Sequence, residues 1–333
     1  MIVFILRCYD RPSVSAIESQ IRAAIGEKLR FEMSNVVGWY QLDTTRYRQQ
    51  VDAMSRNSLP ARAAETKVDD ARVRVWLEIR EPLERQLEPL GRAAILQLRL
   101  RTGDHVLDVG SGIGSTPLTL AQLVGPNGKV VGIDVLTAAL DVMRSEASGV
   151  QNLSFLEGDA EIYPFAPGSF DAAFSRFGVM FFADPVGAFV NIRRALRPGG
   201  RIAFVCWRRL AENELDALPI GAASPYLPAQ LIAQAEEASH FSFADPTFLR
   251  EALTKAGYRE IDIREQDMQV SSGDLHSMVR VCSRVGSLGA LLRGHPEFRG
   301  DAVPALENAL IARDGPGGPT LRAATWVVSA TAP

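Results

Sequence analysis

The chain is expected to fold as an α/β protein whose mostly parallel sheet is covered by helices on both faces. Three observations predict this. Between about residues 105 and 207, short β-branched runs alternate with segments of helical spacing, a pattern that specifies parallel strands joined by crossover helices. A glycine-rich run, Gly110-Ser111-Gly112-Ile113-Gly114, leaves the first of these strands. An aspartate, Asp134, closes the second.

From Ala61 to Leu98, apolar residues such as Val75, Ile79, Leu83, Leu87 and Leu90 recur at helical spacing. Pro60, Pro82 and Pro89 are expected to kink or restart these helices, because proline lacks the amide proton and crowds the preceding turn. His105–Val109 reads as the first strand and Thr116–Val124 as the next helix. Gly125-Pro126-Asn127-Gly128 then stops that helix before the strand Lys129–Asp134. The alternation continues with a helix over Leu136–Ala147, strands over Leu153–Leu156 and Phe170–Phe174, a helix over Pro185–Leu196 and a strand over Ile202–Trp207, entered by the turn Arg197-Pro198-Gly199-Gly200. Residues 208–244 break the rhythm with Pro219, Pro225 and Pro228 and read as an inserted cap. Helix is expected over Thr247–Ala256, Leu275–Leu292 and Glu297–Ala312, and strand over Tyr258–Val270 and Ala323–Ala330.

The domain organisation follows from these changes of character. Residues 1–32 read equally as a working segment or as an extension from an upstream start, 33–99 as a helical cap segment, and 100–333 as the main domain with its cap insertion. With 36 Lys and Arg against 39 Asp and Glu, the net charge of −3 gives no footprint for nucleic acid or an anionic membrane. The opening apolar run lacks a basic n-region and ends at Arg7, and no stretch is long enough to span a bilayer. Three scattered cysteines fit a reducing compartment and no cysteine-rich zinc site, and no motif indicates a metal. A cytoplasmic location is expected.

The chemistry is concentrated in Val106-Leu107-Asp108-Val109-Gly110-Ser111-Gly112-Ile113-Gly114-Ser115. Glycines let a ligand approach the backbone, and the following helix start offers unpaired amides to a carboxylate or phosphate. The dinucleotide fingerprint spaces its glycines G-x-G-x-x-G, whereas here the third glycine falls one place early, which argues against a nicotinamide dinucleotide. Asp134, twenty residues past Gly114, is placed to accept from ribose hydroxyls. Gly158-Asp159-Ala160 follows the third strand, where a carboxylate and the next amide suit an adenine edge.

Together these motifs resemble those of class I S-adenosylmethionine-dependent methyltransferases, in the small-molecule branch that includes the type 11 and ubiquinone/menaquinone-biosynthesis enzymes. The resemblance covers about residues 100 to 207 strongly, with Phe241-Ser242-Phe243-Ala244-Asp245-Pro246 and the final strand in moderate agreement. It implies a Rossmann-like seven-stranded sheet with an antiparallel last strand, and S-adenosyl-L-methionine as cofactor. Carried over, Asp108, Gly110, Ser111, Gly112 and Gly114 would surround the methionine end. Asp134 would hold the ribose, Val135 would pack on the adenine, and Asp159 with Ala160 would read its edge. Ser175 and Arg176 would face cofactor and acceptor from the exit of the fourth strand.

The implied reaction is an in-line methyl transfer to a small organic or lipid-like acceptor, and no residue is assigned a catalytic role. Trp39, Tyr40, Phe177, Phe181, Trp207 and His240 are candidates for the acceptor pocket, each also readable as core or structural. Ser175-Arg176-Phe177-Gly178 stands where an Asn/Asp-Pro-Pro-Tyr signature of nucleic-acid amino methylation would be expected. Two competing readings are a binding protein with this fold but no turnover, and an NAD-dependent oxidoreductase. Oligomeric state is not legible.

Overall fold

The computed structural model describes residues 73–236 and 238–333. The expectations for residues 1–32, for Trp39 and Tyr40 and for the first part of the 33–99 segment lie outside them. Residues 73–78 are helical and Ile79 is a turn, after which α1 runs from Arg80 to Leu98 with Pro82 in its first turn and Pro89 inside it. A proline in the first helical turn removes an amide that has no intrahelical partner there, so Pro82 fits a helix that restarts.

The strands are β1 (His105–Val109), β2 (Lys129–Asp134), β3 (Leu153–Glu157), β4 (Phe170–Arg176), β5 (Leu196–Trp207), β6 (Arg259–Val270) and β7 (Leu321–Thr331), in the order β3-β2-β1-β4-β5-β7-β6. The first five are parallel, and β7 is antiparallel to both β5 and β6 between which it lies. Val106, Leu107 and Val109 are all buried although alternate side chains point to opposite faces, so both faces of the central sheet are covered. Three of the four connections between the parallel strands carry a helix, α2 (Thr116–Val124), α3 (Thr137–Glu146) and α4 (Pro185–Ala195), while residues 158–169 between β3 and β4 form none.

Strand β5 is longer than its expected core. Leu196 already pairs with Phe170, and the Arg197-Pro198-Gly199-Gly200 turn forms an irregularity before Arg201 pairs with Ala172. Gly199 takes φ +75, a conformation glycine adopts without steric cost.

The segment 208–244 contains α5 (Glu214–Ala223) and α6 (Ala229–Glu236). Beyond α7 (Pro246–Lys255) and β6, the stretch expected as one helix over 275–292 is two: α8 (Leu275–Cys282) and α9 (Gly286–Gly294), followed by α10 (Arg299–Ile311). Gly286, at φ +72 after an extended Val285, breaks the run locally, and the Asp216 carboxylate of α5 accepts the Ser287 amide at 2.7 Å at the new helix start. Through α5, packed on α9 and α10, the insertion forms one helical layer with the later helices. No described helix is long and apolar enough to cross a membrane.

α1 runs antiparallel to the parallel strands. Its end lies at the start of β5, where Arg201 donates to the Arg99 carbonyl, and its first turns hang over the carboxyl edge of the sheet, where Glu84 meets Arg176. In open α/β sheets that edge is where ligands bind.

Candidate active site

A cavity opens at this edge between α1 and the glycine loop. From the loop side it is lined by Asp108, Gly110, Ser111, Gly112, Ile113, Gly114 and Thr116, with Arg176 at the end of β4. From the helix side it is lined by Trp76, Arg80, Leu83, Glu84 and Leu87. Those five positions fall at i, i+4, i+7, i+8 and i+11, a helical spacing that carries from the stretch 73–78 across the turn at Ile79 into α1, so one face of both pieces roofs the loop.

Asp108 is the most unusual group in the lining. It is buried, and its Oδ2 has no hydrogen-bond partner. Burial pushes its carboxyl up to about 7, against the pull of Arg176 and with a contribution from the nearby Asp134. The Ser111 hydroxyl beside it is also buried without a partner. Buried polar atoms left unpaired are costly and point to a ligand that completes them. Gly112 has φ +55 and Gly110 φ +69, so the loop follows a path that side chains would strain.

Arg176 makes a two-pronged ion pair with Glu84, Nη1 to Oε1 at 2.8 Å and Nη2 to Oε2 at 2.7 Å, and the Ser115 hydroxyl donates to Glu84 Oε1. Burial alone would raise the Glu84 carboxyl, but the hydrogen bonds and charge of Arg176, with Ser115, hold it below the usual range.

The structure therefore brings Asp108, Gly110, Ser111, Gly112, Gly114 and Arg176 to one cavity. The other predicted cofactor residues stand at neighbouring strand ends. Asp134 is buried, with Oδ2 accepting the Gly112 amide at 2.8 Å and Oδ1 accepting the Leu136 amide at 3.0 Å. Val135 is half-buried beside it. Asp159 accepts the Glu161 amide at 3.0 Å, and the Ala160 carbonyl accepts from Asn191. Ser175 is fully buried; its hydroxyl donates to the Val109 carbonyl and accepts the amides of Gly178 and Val179, tying β4 to β1.

The described acceptor-pocket candidates do not line the cavity. Phe177 is fully buried and stacks on Trp207 with ring centroids 4.1 Å apart, and Phe181 is likewise buried in the core. His240 is enclosed in the helical layer, 3.3 Å from the Ser287 hydroxyl and 3.9 Å from Asp216. Conversely, sequence reasoning missed Trp76, Arg80, Glu84 and Thr116. The signal was present: Arg80 and Glu84 are a charged pair inside an otherwise apolar helical stripe.

A mostly parallel sheet with β7 inserted antiparallel, and a loop of three alternate glycines after β1, give the architecture that the resemblance to S-adenosylmethionine-dependent methyltransferases implies. Comparison with known proteins agrees. Residues 107–204 match the family model described as a methyltransferase domain. The chain is 30% identical over 180 residues to a ubiquinone/menaquinone biosynthesis C-methyltransferase, UbiE, of Coxiella burnetii, spanning 51% of this chain and 72% of that one. It is 38% identical over 118 residues to aklanonic acid methyltransferase DauC of a Streptomyces species, where the match covers 35% of this chain and about half, 54%, of the relative. Among solved structures, the YcgJ protein of Bacillus subtilis is 18% identical with a TM-score of 0.49, over 73% of this chain and 98% of that one. The chain belongs to the S-adenosylmethionine-dependent methyltransferase family that includes the ubiquinone/menaquinone biosynthesis C-methyltransferases.

Proposed function

We propose that this protein transfers a methyl group from S-adenosylmethionine to a carbon atom of a small organic or lipid-like acceptor by in-line displacement, in the cytoplasm. The observation that supports the reading most is the partnerless, buried Asp108 Oδ2 beside the glycine loop in the α1-roofed cavity. The likeness to C-methyltransferases of ubiquinone and menaquinone biosynthesis supports a carbon acceptor in a small molecule, and the net charge of −3 speaks against a nucleic-acid acceptor.

When bound, S-adenosylmethionine supplies a methyl group already activated on a sulfonium. The chain's own residues then have to bind, align and exclude water. The loop Gly110–Gly114 and Asp108 would hold the methionine end, while Asp134, Val135, Asp159 and Ala160, at the ends of β2 and β3, would hold the nucleoside. Trp76, Leu83, Leu87 and Ile113 give the cavity apolar walls that keep water from the reacting centre. Alignment of two reactants contributes on the order of 7–11 kcal/mol to such a step, which accounts for a legible cofactor site without a legible catalytic base.

The test is calorimetric binding of S-adenosylhomocysteine to the full chain, followed by transfer of label from methyl-labelled S-adenosylmethionine to a panel of hydroquinones and small aromatic acids. Binding with label appearing in a carbon-methylated product is expected. Failure to bind S-adenosylhomocysteine, or binding of NADH in its place, would overturn the proposal.

A further inference from the structure

The helix that follows the glycine loop begins on an anion supplied by another element. Ser115 is the N-cap of α2, yet its side chain makes no hydrogen bond to the helix's own amides, and no acidic residue lies in the first turn. Its hydroxyl donates instead to Glu84 Oε1 of α1. The other oxygen, Oε2, would stand 3.2 Å from a Cβ placed on Gly114, so the carboxylate lies against the last glycine of the loop. A helix start gathers unpaired amides and the positive end of the helix dipole, and so attracts negative charge. Arg176 completes the arrangement with its two-pronged bond to the same carboxylate, at 2.8 and 2.7 Å. Burial raises the Glu84 carboxyl, but Arg176 and both the hydroxyl and the amide of Ser115 hold it below the ordinary range, so it is an anion at neutral pH.

These donors form an anion site, and a residue of the chain itself fills it. The Arg176 side chain is only 11% exposed, and an enclosed cation without a partner is costly, so a carboxylate is needed there. Glu84 is 22% exposed at the rim of the cavity, where a change of side-chain torsions carries its carboxylate to water. The helix that bears it is held more firmly. Gln86 is buried against Met278 of α8, and the Leu90 carbonyl accepts from Gln266 of β6. The part that can yield is therefore the Glu84 side chain and not α1. A second carboxylate arriving at Arg176 and Ser115 replaces one ion pair by another, and the enclosed cation keeps a partner in both states.

We propose that Glu84 is an autoinhibitory carboxylate: it occupies the anion site made by Arg176 and the start of α2, and a carboxylate-bearing ligand reaches the glycine loop only by displacing it. Affinity is thereby set by a competition within the chain, which lowers it by the fraction of molecules in which Glu84 has swung away and favours release after turnover. Which ligand Glu84 opposes rests on the reading of this cavity as the cofactor site, the methionine end of that cofactor carrying a carboxylate beside its ammonium.

The test uses the full chain with Glu84→Gln, which keeps the side chain's size and removes its charge, and Glu84→Asp, which keeps the charge but falls one methylene short of the two-pronged contact. Thermal melts in sodium acetate, against sodium chloride at equal ionic strength, probe the anion site with a bare carboxylate. Acetate is expected to raise the melting temperature of Glu84→Gln and to leave wild type unmoved. Calorimetry should show S-adenosylhomocysteine binding about tenfold tighter to Glu84→Gln than to wild type, with a smaller gain in Glu84→Asp. The nucleoside 5′-methylthioadenosine, which lacks the amino-acid group, should bind all three proteins equally. Unchanged or weakened S-adenosylhomocysteine binding in the folded variants would overturn the proposal, since a merely structural glutamate gives that result. Equal tightening of both ligands would do so too, by pointing to a loosened cavity, as would an acetate response in wild type equal to that of Glu84→Gln. If neither ligand binds any of the three proteins, the cofactor reading itself is removed, and the acetate melts decide the role of Glu84 on their own.

Discussion

The carboxylate of Asp134 holds the glycine loop to the end of β2, with Oδ2 accepting the Gly112 amide at 2.8 Å. Gly112 is in the left-handed region, and this bond joins those from the Gly110 and Ser111 amides to the Ile133 carbonyl in fixing the loop shape. Asp134→Ala is expected to weaken S-adenosylhomocysteine binding by about 1–3 kcal/mol, through loss of the loop anchor and of the proposed ribose acceptor. Calorimetry on the folded variant checks this, and unchanged affinity would remove both roles.

Asp108 makes binding depend on pH. Its carboxyl titrates at about 7 in the folded chain against an ordinary value of 3.8. The folded state therefore binds the extra proton between those values, and Asp108 subtracts stability as pH rises from about 4 to 7. A cationic ammonium favours the ionised form, so cofactor binding should release a proton near neutrality and tighten from pH 6 to pH 8. Titrations in buffers of different ionisation enthalpy measure that proton, and Asp108→Asn should abolish it. Proton release that persists in the variant would assign it to another group.

Much of this architecture was legible in the sequence because the signals are local. His105–Val109, Thr116–Val124 and Lys129–Asp134 have the predicted bounds, since glycine and proline clusters close each segment. The split of α8 from α9 has a local signal in Gly286, which takes φ +72, but the Asp216 carboxylate that receives the Ser287 amide is far away in sequence and was not legible. The same reason hid half of the site: Glu84 gains its meaning only from Arg176, which lies on another element. Phe177 and Trp207 read equally as pocket or core aromatics, because composition cannot distinguish a ring that faces a cavity from one stacked in the core, where the structure places this pair.

The Phe177 backbone sits at φ +58, which is strained for a bulky residue, while its buried ring stacks on Trp207. Packing offsets the strain. Phe177→Ala is expected to lower unfolding free energy by about 3–5 kcal/mol, measured by urea denaturation. Because the two rings share one contact, adding Trp207→Ala in that background should cost less than Trp207→Ala alone. Strictly additive losses would show that the stack contributes little.

His240 should make the helical layer acid-sensitive. Burial holds its imidazole below the ordinary 6.5, with the Asp216 carboxylate opposing. The unfolded chain takes up the proton more readily than the folded one, so this contribution is present above about pH 6.5 and is lost as pH falls through it. Asp108 acts in the opposite direction over part of the same range, so the informative quantity is a difference between proteins. Between pH 7 and 5.5 the denaturation midpoint of wild type should fall relative to that of His240→Asn. Parallel profiles would show that the histidine takes up its proton equally readily in the folded and unfolded states.

The antiparallel strand β7 separates β5 from β6, so β6 has no neighbour in the sheet until a segment some fifty residues downstream has been synthesised and threaded into the gap. During translation the half of the sheet bearing the glycine loop can assemble early, whereas residues 259–270 must wait beside the ribosome with both hydrogen-bonding edges unsatisfied. β6 stays at the edge of the finished sheet as well, and its dense run of charges, Arg259, Glu260, Asp262, Arg264, Glu265 and Asp267, is of the kind that disfavours pairing with a second chain.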